Sequence, residues 1–259
     1  SPYSNAWQGS DAQAWCNTFE SSNLDSLELA AILATTKSDD AFTSSTHNVS
    51  FAASTNILNS DQVFFLSAEE AVNSEYGFTD DAARIANYGN SASTWWLRSP
   101  YADFTSSTGL VDGYGRVYDG GVGLGWAARP AFNLNLNSVL FTSAAVGGKP
   151  DGGLTTISEY SGNEWKLTLK DSSRSNFAVT SAAVTAYTNG STVEISYTGA
   201  KTGANEYISA LLVDDNGNPT YYGRSNAPLT ETDGTAQLSV PAGFAEGNYT
   251  LKVFNEQYN

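Results

Sequence analysis

The sequence contains one cysteine, Cys16, and one histidine, His47, in 259 residues. A single cysteine excludes an internal disulfide, and one residue of each type cannot build the usual His/Cys zinc clusters. A Ser/His/Asp triad would have to use His47, whose polar surroundings in "FTSSTHNVSF" predict an exposed loop instead. Cys16 lies on the apolar face of a predicted short helix with no histidine nearby, so we expect a buried and unreactive thiol.

Positive charge is also scarce. Lysine and arginine together number 12 against 27 aspartates and glutamates, which gives a formal net charge of −15. Nucleic acid would be repelled, and anionic membrane surfaces and strongly anionic glycans are disfavoured for the same reason. No apolar run approaches the roughly 18 residues of a membrane span, and no signal peptide begins the chain. We therefore expect no membrane insertion, and a mature portion of a larger multi-domain protein.

Glycine, serine, threonine and asparagine are abundant, whereas charged residues make up only 15% of the chain. This balance is typical of extracellular β-rich proteins. Residues 1–145 mix short helices with strand-like segments, residues 146–175 form a linker with one connecting strand, and residues 176–259 contain regularly spaced short strands. The last pattern, with its "DDNGNP" turn, predicts an all-β immunoglobulin-like sandwich.

Local signals place several elements in the first part of the chain. Ser10 is a predicted helix N-cap, and Ser67 with Glu70 forms a predicted capping box. "DDAARIANYG" has a helical pattern that we expect Gly89 to end. The segment "STGLVDGYGRVYDGG" alternates like a hairpin whose turn surrounds Tyr114. In "PTYYGR", near the end of the chain, strand alternation predicts one inward and one outward tyrosine.

Two motifs resemble a known family. "WWLRSP" (Trp95–Pro100) is followed by "ARPAFNL" (128–134), and "SDAQAWCNTF" and "SDQVFFLSAEEA" precede them in the expected order. The pattern, over residues 5 to 142, resembles an uncharacterised domain of surface proteins from Gram-positive gut bacteria. It implies an α+β, C-type-lectin-like lobe of short helices and twisted antiparallel strands, similar to formylglycine-generating enzymes, although the cysteine pair of those enzymes is missing here. Residues 176–259 resemble the bacterial immunoglobulin-like module that follows this domain.

The paired arginines and tryptophans of these motifs have structural interpretations. Alternation puts Trp95 and Trp96 on opposite faces of a strand, so one should be in the core. Arg98 and Arg129 lie in apolar strands, and each needs a carboxylate or several carbonyls. We expect them to tie neighbouring strands and loops together. The candidate carboxylates are those of Asp112, Asp119 and Glu69.

Aromatic rings in glycine- and aspartate-rich loops are the strongest functional signal. Flat rings cover the apolar faces of pyranoses, and adjacent polar groups bond the hydroxyls. The predicted ligand-binding residues are Trp126, Tyr118, Tyr114, Tyr101, Asp103, Asp112, Asp119 and Arg116. The sequence thus predicts a secreted cell-surface protein that binds a polysaccharide without catalysis, with a neutral plant or storage glucan such as starch as its ligand.

Three alternatives stay open at this point. The chain could be a structural or adhesion module that binds another protein and has no glycan site. It could instead be an enzyme that uses two carboxylates, but no catalytic residue is predicted, because 27 acids supply endless carboxylate pairs and none is set apart by apolar surroundings. No catalytic metal and no cofactor is predicted. A structural calcium ion held by Asp103, Asp112 and Asp119 is compatible with oxygen ligation.

Overall fold

The computed structural model describes residues 4–45, 48–157, 160–181, 190–241, 243 and 245–258. Strands account for 44% of the described residues and helices for 15%, so the protein is predominantly β with few helices. The chain divides into two compact units, residues 1–136 and 137–259. His47, predicted to be exposed, lies outside the described residues.

The helices are short, and the four α-helices found among the described residues belong to the first unit. They are α1 (Asp11–Asn23), α2 (Ser26–Ala31), α3 (Ala68–Ala71) and α4 (Asp81–Arg84), and single 3-10 turns span Ser74–Tyr76, Leu136–Ser138 and Ser172–Arg174. The Ser10 side chain accepts a hydrogen bond from the Gln13 N–H, and Ser67 and Glu70 form a reciprocal capping box, which confirms both predicted caps. No described helix is long and apolar enough to cross a membrane.

The strands of the first unit form small antiparallel sheets. They are β1 (Ile32–Leu33), β2 (Thr35–Ser45), β3 (Asn48–Asp61), β4 (Phe64–Phe65), β5 (Ala86–Tyr88), β6 (Ser91–Ser93), β7 (Trp95–Pro100), β8 (Ser107–Val111), β9 (Val117–Gly121), β10 (Pro130–Ala131) and β11 (Asn133–Leu134). β7, β8 and β9 make a three-stranded sheet, and the remaining strands pair as β1–β11, β2–β3, β4–β10 and β5–β6.

The helix predicted to continue to Gly89 is wrong in its second half. α4 ends at Arg84, and the next residues enter the hairpin of β5 and β6, in which Tyr88 pairs with Ser91. Gly89 has φ +61° in the turn of this hairpin, a conformation that glycine adopts without steric cost. Gly89 therefore marks the turn of a hairpin and not the end of a helix.

Trp95 and Trp96 support two different clusters of the first unit, as strand alternation predicts. Trp95 is buried with Phe42, Leu97 and Val111 in a cluster that β2, α3 and the three-stranded sheet enclose. Trp96 is half-buried and packs against a second cluster that contains Cys16. The WWLRSP strand is thus covered on both faces.

Cys16 is fully buried in this second cluster. Burial, with smaller contributions from the charges of Asp61 and Glu20, raises the pKa of its thiol to about 12. The prediction of a buried thiol is therefore confirmed, and a thiol with this pKa is almost entirely protonated near neutral pH, as expected of an unreactive cysteine.

The second unit contains the remaining strands. They are β12 (Val139–Ala144), β13 (Thr155–Thr156), β14 (Trp165–Leu169), β15 (Ala178–Val179), β16 (Thr192–Thr198), β17 (Glu206–Val213), β18 (Pro219–Arg224), β19 (Gly234–Ser239) and β20 (Thr250–Gln257). A four-stranded sheet, β13-β18-β17-β20, faces a three-stranded sheet, β15-β16-β19. The core between them includes Ile195, Ile208, Tyr221 and Leu238.

The two tyrosines of "PTYYGR" point to opposite faces of β18, as alternation predicts, but the outward ring is not exposed, because both rings are buried. Tyr221 points into the core between the two sheets, whereas Tyr222 enters a second cluster on the other face with Phe141. The rings of Phe141 and Tyr222 stack at a centroid distance of 6.1 Å. β12, the strand of Phe141, pairs with β14, and this ribbon covers the face that would otherwise meet solvent.

Candidate functional site

One carboxylate shapes the turn between β8 and β9. Asp112 Oδ1 accepts hydrogen bonds from the backbone N–H groups of Tyr114 and Arg116, both at 2.9 Å. Asp112 Oδ2 accepts from Arg116 Nε at 2.8 Å and lies 2.6 Å from Arg116 Nη2. These four donors fill the lone-pair positions of a carboxylate. Asp112, predicted to bond sugar hydroxyls, therefore has its acceptor capacity used within the turn, where it orients Arg116.

The same contacts determine the charge of Asp112. Partial burial raises the pKa of this carboxyl group, but the hydrogen bonds from Arg116 and Tyr114 outweigh it and hold the pKa below its usual value. The carboxylate is therefore ionised at neutral pH, and its ion pair with Arg116 persists there.

Arg116 in turn holds two tyrosine rings. Its guanidinium carbon lies 5.2 Å from the ring centroid of Tyr114 and 5.6 Å from that of Tyr118, within the range of a cation–π contact. Tyr114 is 75% exposed and Tyr118 is 39% exposed. We call Asp112, Tyr114, Arg116 and Tyr118 the tip cluster; it presents two solvent-facing rings in fixed positions.

The tip cluster is anchored to α4 through Gly115. This residue has φ +83°, and a Cβ atom here would lie 1.7 Å from the carbonyl oxygen of Asp81, so only glycine fits. The Gly115 carbonyl accepts a hydrogen bond of 2.7 Å from Nε of Arg84, a buried side chain that also pairs with Asp81. The backbone of the turn is thus fixed as firmly as its side chains.

Trp126 reaches the same end of the sheet from a later segment. The Ala127 N–H donates to the Thr94 carbonyl and the Trp96 N–H donates to the Ala127 carbonyl, each at 3.0 Å. Trp126 therefore lies beside the start of β7, the strand that pairs with the end of β8 next to the turn. Its side chain is 46% exposed, so a third ring is available at this end.

A fourth ring was not predicted from the sequence. The hairpin of β5 and β6 lies beside the turn, since a Cβ atom on Gly113 would be 3.8 Å from the Ala92 carbonyl oxygen. Tyr88 in this hairpin is 84% exposed. The sequence pattern predicted a helix at Tyr88. The signal that could have revealed an exposed ring is the position of this aromatic residue directly before Gly89, a turn glycine.

Arg129 lies at this end too. Its guanidinium carbon is 4.6 Å from the Trp95 ring centroid and 5.6 Å from the Phe78 ring centroid. Arg129 Nη1 donates to the Arg84 carbonyl at 3.4 Å, and Trp95 Nε1 donates to the same oxygen at 3.2 Å. Burial lowers the pKa of Arg129. We call Arg129, Trp95 and Phe78 the Arg129 corner; Arg84 joins it to the tip cluster through Gly115.

The other predicted site residues lie elsewhere on the sheet. Tyr101 directly follows β7, whose six residues separate it from the start of that strand by roughly 15–20 Å. Tyr101 is half-buried, with its ring edge-on to Phe42 at 5.3 Å, and Asp103 is exposed in the loop beyond it. Asp119 pairs with Gly109 in the middle of the sheet. The predicted loop surface is therefore divided between two ends.

Arg98 is structural, but its predicted partners were wrong. The buried guanidinium donates to both oxygens of Asp39, at 2.7 and 2.6 Å, and to Glu70 Oε2 at 2.7 Å. It also donates to the Phe65 carbonyl at 2.6 Å. The carboxylates come from β2 and α3 because these elements, and not the β8–β9 hairpin, cover the core face of β7.

Among the described residues, no three His, Cys, Asp or Glu side chains come together in a way that could hold a metal ion. Structural calcium through Asp103, Asp112 and Asp119 stays a prediction. Two facts bear on it: Asp103 lies at the opposite end of the sheet from Asp112, and Asp112 is paired with Arg116.

Comparison with known proteins gives a match for the first unit. No curated protein and no solved structure matches the chain. A family model described as "Domain of unknown function (DUF6273)" matches residues 2–136, which is almost the whole of the first unit and more than half of the chain. The protein therefore belongs to the DUF6273 family, whose function is unknown.

Proposed function

We propose that the protein binds a polysaccharide without catalysis, through the tip cluster and Trp126. The observation that carries this proposal is the fixing of Tyr114 and Tyr118 by one arginine that is itself held by Asp112. Exposed rings normally sample several rotamers and lose this freedom when they bind. Rings held before the ligand arrives avoid that loss, as a sugar-stacking platform requires.

The polar groups around these rings suit neutral sugars. Arg116 uses Nε and Nη2 for Asp112, so Nη1 stays available to donate to hydroxyl oxygens. The chain as a whole carries a net charge of −15, which disfavours densely anionic polymers. A neutral plant or storage glucan such as starch remains the ligand that we propose.

The wider setting forms part of the proposal. We propose a C-type-lectin-like fold for residues 1–136 and an immunoglobulin-like sandwich for the second unit. The first is supported by the WWLRSP and ARPAFNL motifs, and the second by two antiparallel sheets around one buried core. Secretion and a place at the surface of a Gram-positive bacterium, within a larger multi-domain protein, are supported by the composition and by the same motifs.

Retention on insoluble polysaccharides tests the binding. We expect the chain to sediment with at least one of starch, cellulose, xylan and mucin, with starch first. Tyr114→Ala and Trp126→Ala should each reduce retention by about tenfold, because stacking on one ring contributes on the order of 1–2 kcal/mol.

Trp165→Ala is the matched control. Trp165 is 50% exposed in the second unit, close to the 46% of Trp126, so its loss removes an equal area of aromatic surface elsewhere. Retention should not change in this variant. Absence of binding to all four polymers would overturn the proposal and favour the alternative, an adhesion module that binds protein.

A further inference from the structure

Arg129 differs from every other arginine of the chain in its partners. The sequence has six arginines, and five of them form ion pairs with carboxylates: Arg84, Arg98, Arg116, Arg174 and Arg224. Arg129 forms none with the carboxylates that the structure describes. Acids outnumber bases by 27 to 12 in this chain, so the absence of an acidic partner is not due to a shortage of them.

The contacts that Arg129 does make leave most of its donors unused. A guanidinium has five N–H donors in one plane. Its one hydrogen bond within the described part of the chain, to the Arg84 carbonyl at 3.4 Å, is longer than the usual 2.7–3.2 Å range. The other contacts are with the rings of Trp95 and Phe78, which interact with the cation but accept no N–H···O hydrogen bond. Donors at the edge of the group therefore remain available.

The surroundings make an anion at this position favourable. Arg129 is half-buried, and burial without a counter-charge lowers its pKa. Aromatic rings beside it exclude water, which strengthens any charge-assisted hydrogen bond formed there. A carboxylate fits the flat fork of a guanidinium with two parallel hydrogen bonds. The corner is partly open to solvent, so a ligand can reach these donors.

We propose that Arg129 binds the carboxylate of an isolated acidic sugar, a uronic acid, within the otherwise neutral polysaccharide that the tip cluster holds. This proposal rests on the proposed function and adds its substrate class: a sparsely acidic plant-type glycan. Arg84 links the two places, because its carbonyl contacts Arg129 and its side chain contacts Gly115 in the turn. Isolated carboxylates also limit the repulsion that a polyanion would meet from a protein of net charge −15.

The test compares three forms of one polymer: starch, starch lightly oxidised at C6 to carry isolated glucuronates, and the oxidised starch with its carboxylates methyl-esterified. Dissociation constants are measured by affinity electrophoresis. We expect the wild-type chain to bind the oxidised form about 10- to 100-fold more tightly than its ester, the range of a charge-assisted, bidentate contact.

Substitutions assign this preference to Arg129. Arg129→Met should reduce the ratio between acid and ester to about one, and Arg129→Lys should restore part of it, since lysine keeps the charge but loses the fork. Lys170→Met, which removes an exposed charge in the second unit, should leave the ratio unchanged. Circular dichroism checks that each variant is folded. If Arg129→Met does not fold, Arg129→Lys alone tests the site, because its ratio between acid and ester should be lower than that of the wild-type chain.

The outcomes separate the two proposals. Equal binding of acid and ester by the wild-type chain, or an undiminished preference in the folded Arg129 variants, would refute the carboxylate site and leave glycan binding intact. Failure to bind any of the three forms would count against the proposed function, and the carboxylate site would fall with it.

Discussion

Arg98 and Arg129 each lie in one of the two sequence motifs, yet they meet opposite surroundings. The Arg98 side chain is fully buried and bonded to two carboxylates and a carbonyl. The Arg129 side chain is half-buried and contacts two rings and one distant carbonyl. The first arrangement satisfies a charge inside the protein, and the second leaves a charge at the surface for something else to satisfy.

The difference is one of neighbours and not of local sequence. β2 and α3 bring Asp39 and Glu70 over the core face of β7, and Lys37 adds a second cation 2.9 Å from Glu70. Around Arg129 the nearest elements supply backbone and aromatic side chains, and the carboxylate of Asp81 is paired with Arg84. An arginine that is buried together with anionic partners indicates a role in stability, whereas a partly exposed arginine without such partners indicates a role in ligand binding.

The largest expected effect is the loss of the Arg98 network. Arg98→Met leaves Asp39 and Glu70 buried without their main cation, and breaking a buried pair in this way costs roughly 3–5 kcal/mol. Arg129→Met removes only cation–π contacts and a long hydrogen bond, and should cost about 1 kcal/mol or less. Urea unfolding of the two variants measures the difference. Equal losses would contradict the distinction drawn between the two arginines.

The pH dependence of stability is the next largest effect. Burial raises the pKa of Glu70, but hydrogen bonds and charge from Arg98, with help from Lys37, lower it from 4.5 to about 2. A group with a lowered pKa stabilises the fold above its unfolded pKa and loses this contribution as pH falls through its folded value. Unfolding free energy should thus decline between about pH 5 and pH 2 by on the order of 3 kcal/mol from this group.

Neighbouring glutamates provide the control for this pH effect. Glu70→Gln should flatten the decline, whereas Glu69→Gln, a change at an exposed position next to it, should not. Arg129→Met should leave the slope as it is, because no described carboxylate pairs with that arginine. Urea unfolding at pH 7, 5, 4 and 3 provides the comparison, and an unaltered slope in Glu70→Gln would show that other acids dominate.

Signals confined to a few residues predicted the fold well where nothing distant competed with them. The caps at Ser10 and Ser67 and the hairpin around Tyr114 are confirmed because each depends on contacts within about five residues. The helix predicted up to Gly89 failed since pairing with Ser91–Ser93 outweighed a weak helical pattern. The outward tyrosine in "PTYYGR" is buried because a ribbon far away in the sequence covers that face, which local alternation does not predict.

Only part of the candidate site could be predicted from the sequence. Tyr114, Arg116 and Tyr118 come together because they share one hairpin, and the sequence displays this. Tyr101 is separated from them because β7 runs the length of the sheet. The role of Arg129 depends on which carboxylates approach it, and the sequence alone does not determine that. The difference between Arg129 and Arg98 becomes visible only from the tertiary contacts of both residues.

Two glycines of the turn between β8 and β9 allow a matched test of the support beneath the tip cluster, whose effect on stability should be smaller than that of the Arg98 network. Gly115→Ala forces an alanine into φ +83° and against the Asp81 carbonyl, which should cost about 2 kcal/mol or more. Gly113→Ala meets nothing closer than 3.8 Å and has no positive φ, so it should change stability by less than about 0.5 kcal/mol.

Ligand retention distinguishes local from global damage in these glycine variants. Gly115→Ala displaces the turn from Arg84, the residue that links it to Arg129, so retention on starch should fall in a chain that is still folded at 25 °C. The Arg98 network shares no described hydrogen bond with this turn, so the decline of unfolding free energy with falling pH should be unchanged in Gly115→Ala. If Gly113→Ala reduces retention as much as Gly115→Ala does, the turn contributes through its surface and not through its anchored backbone.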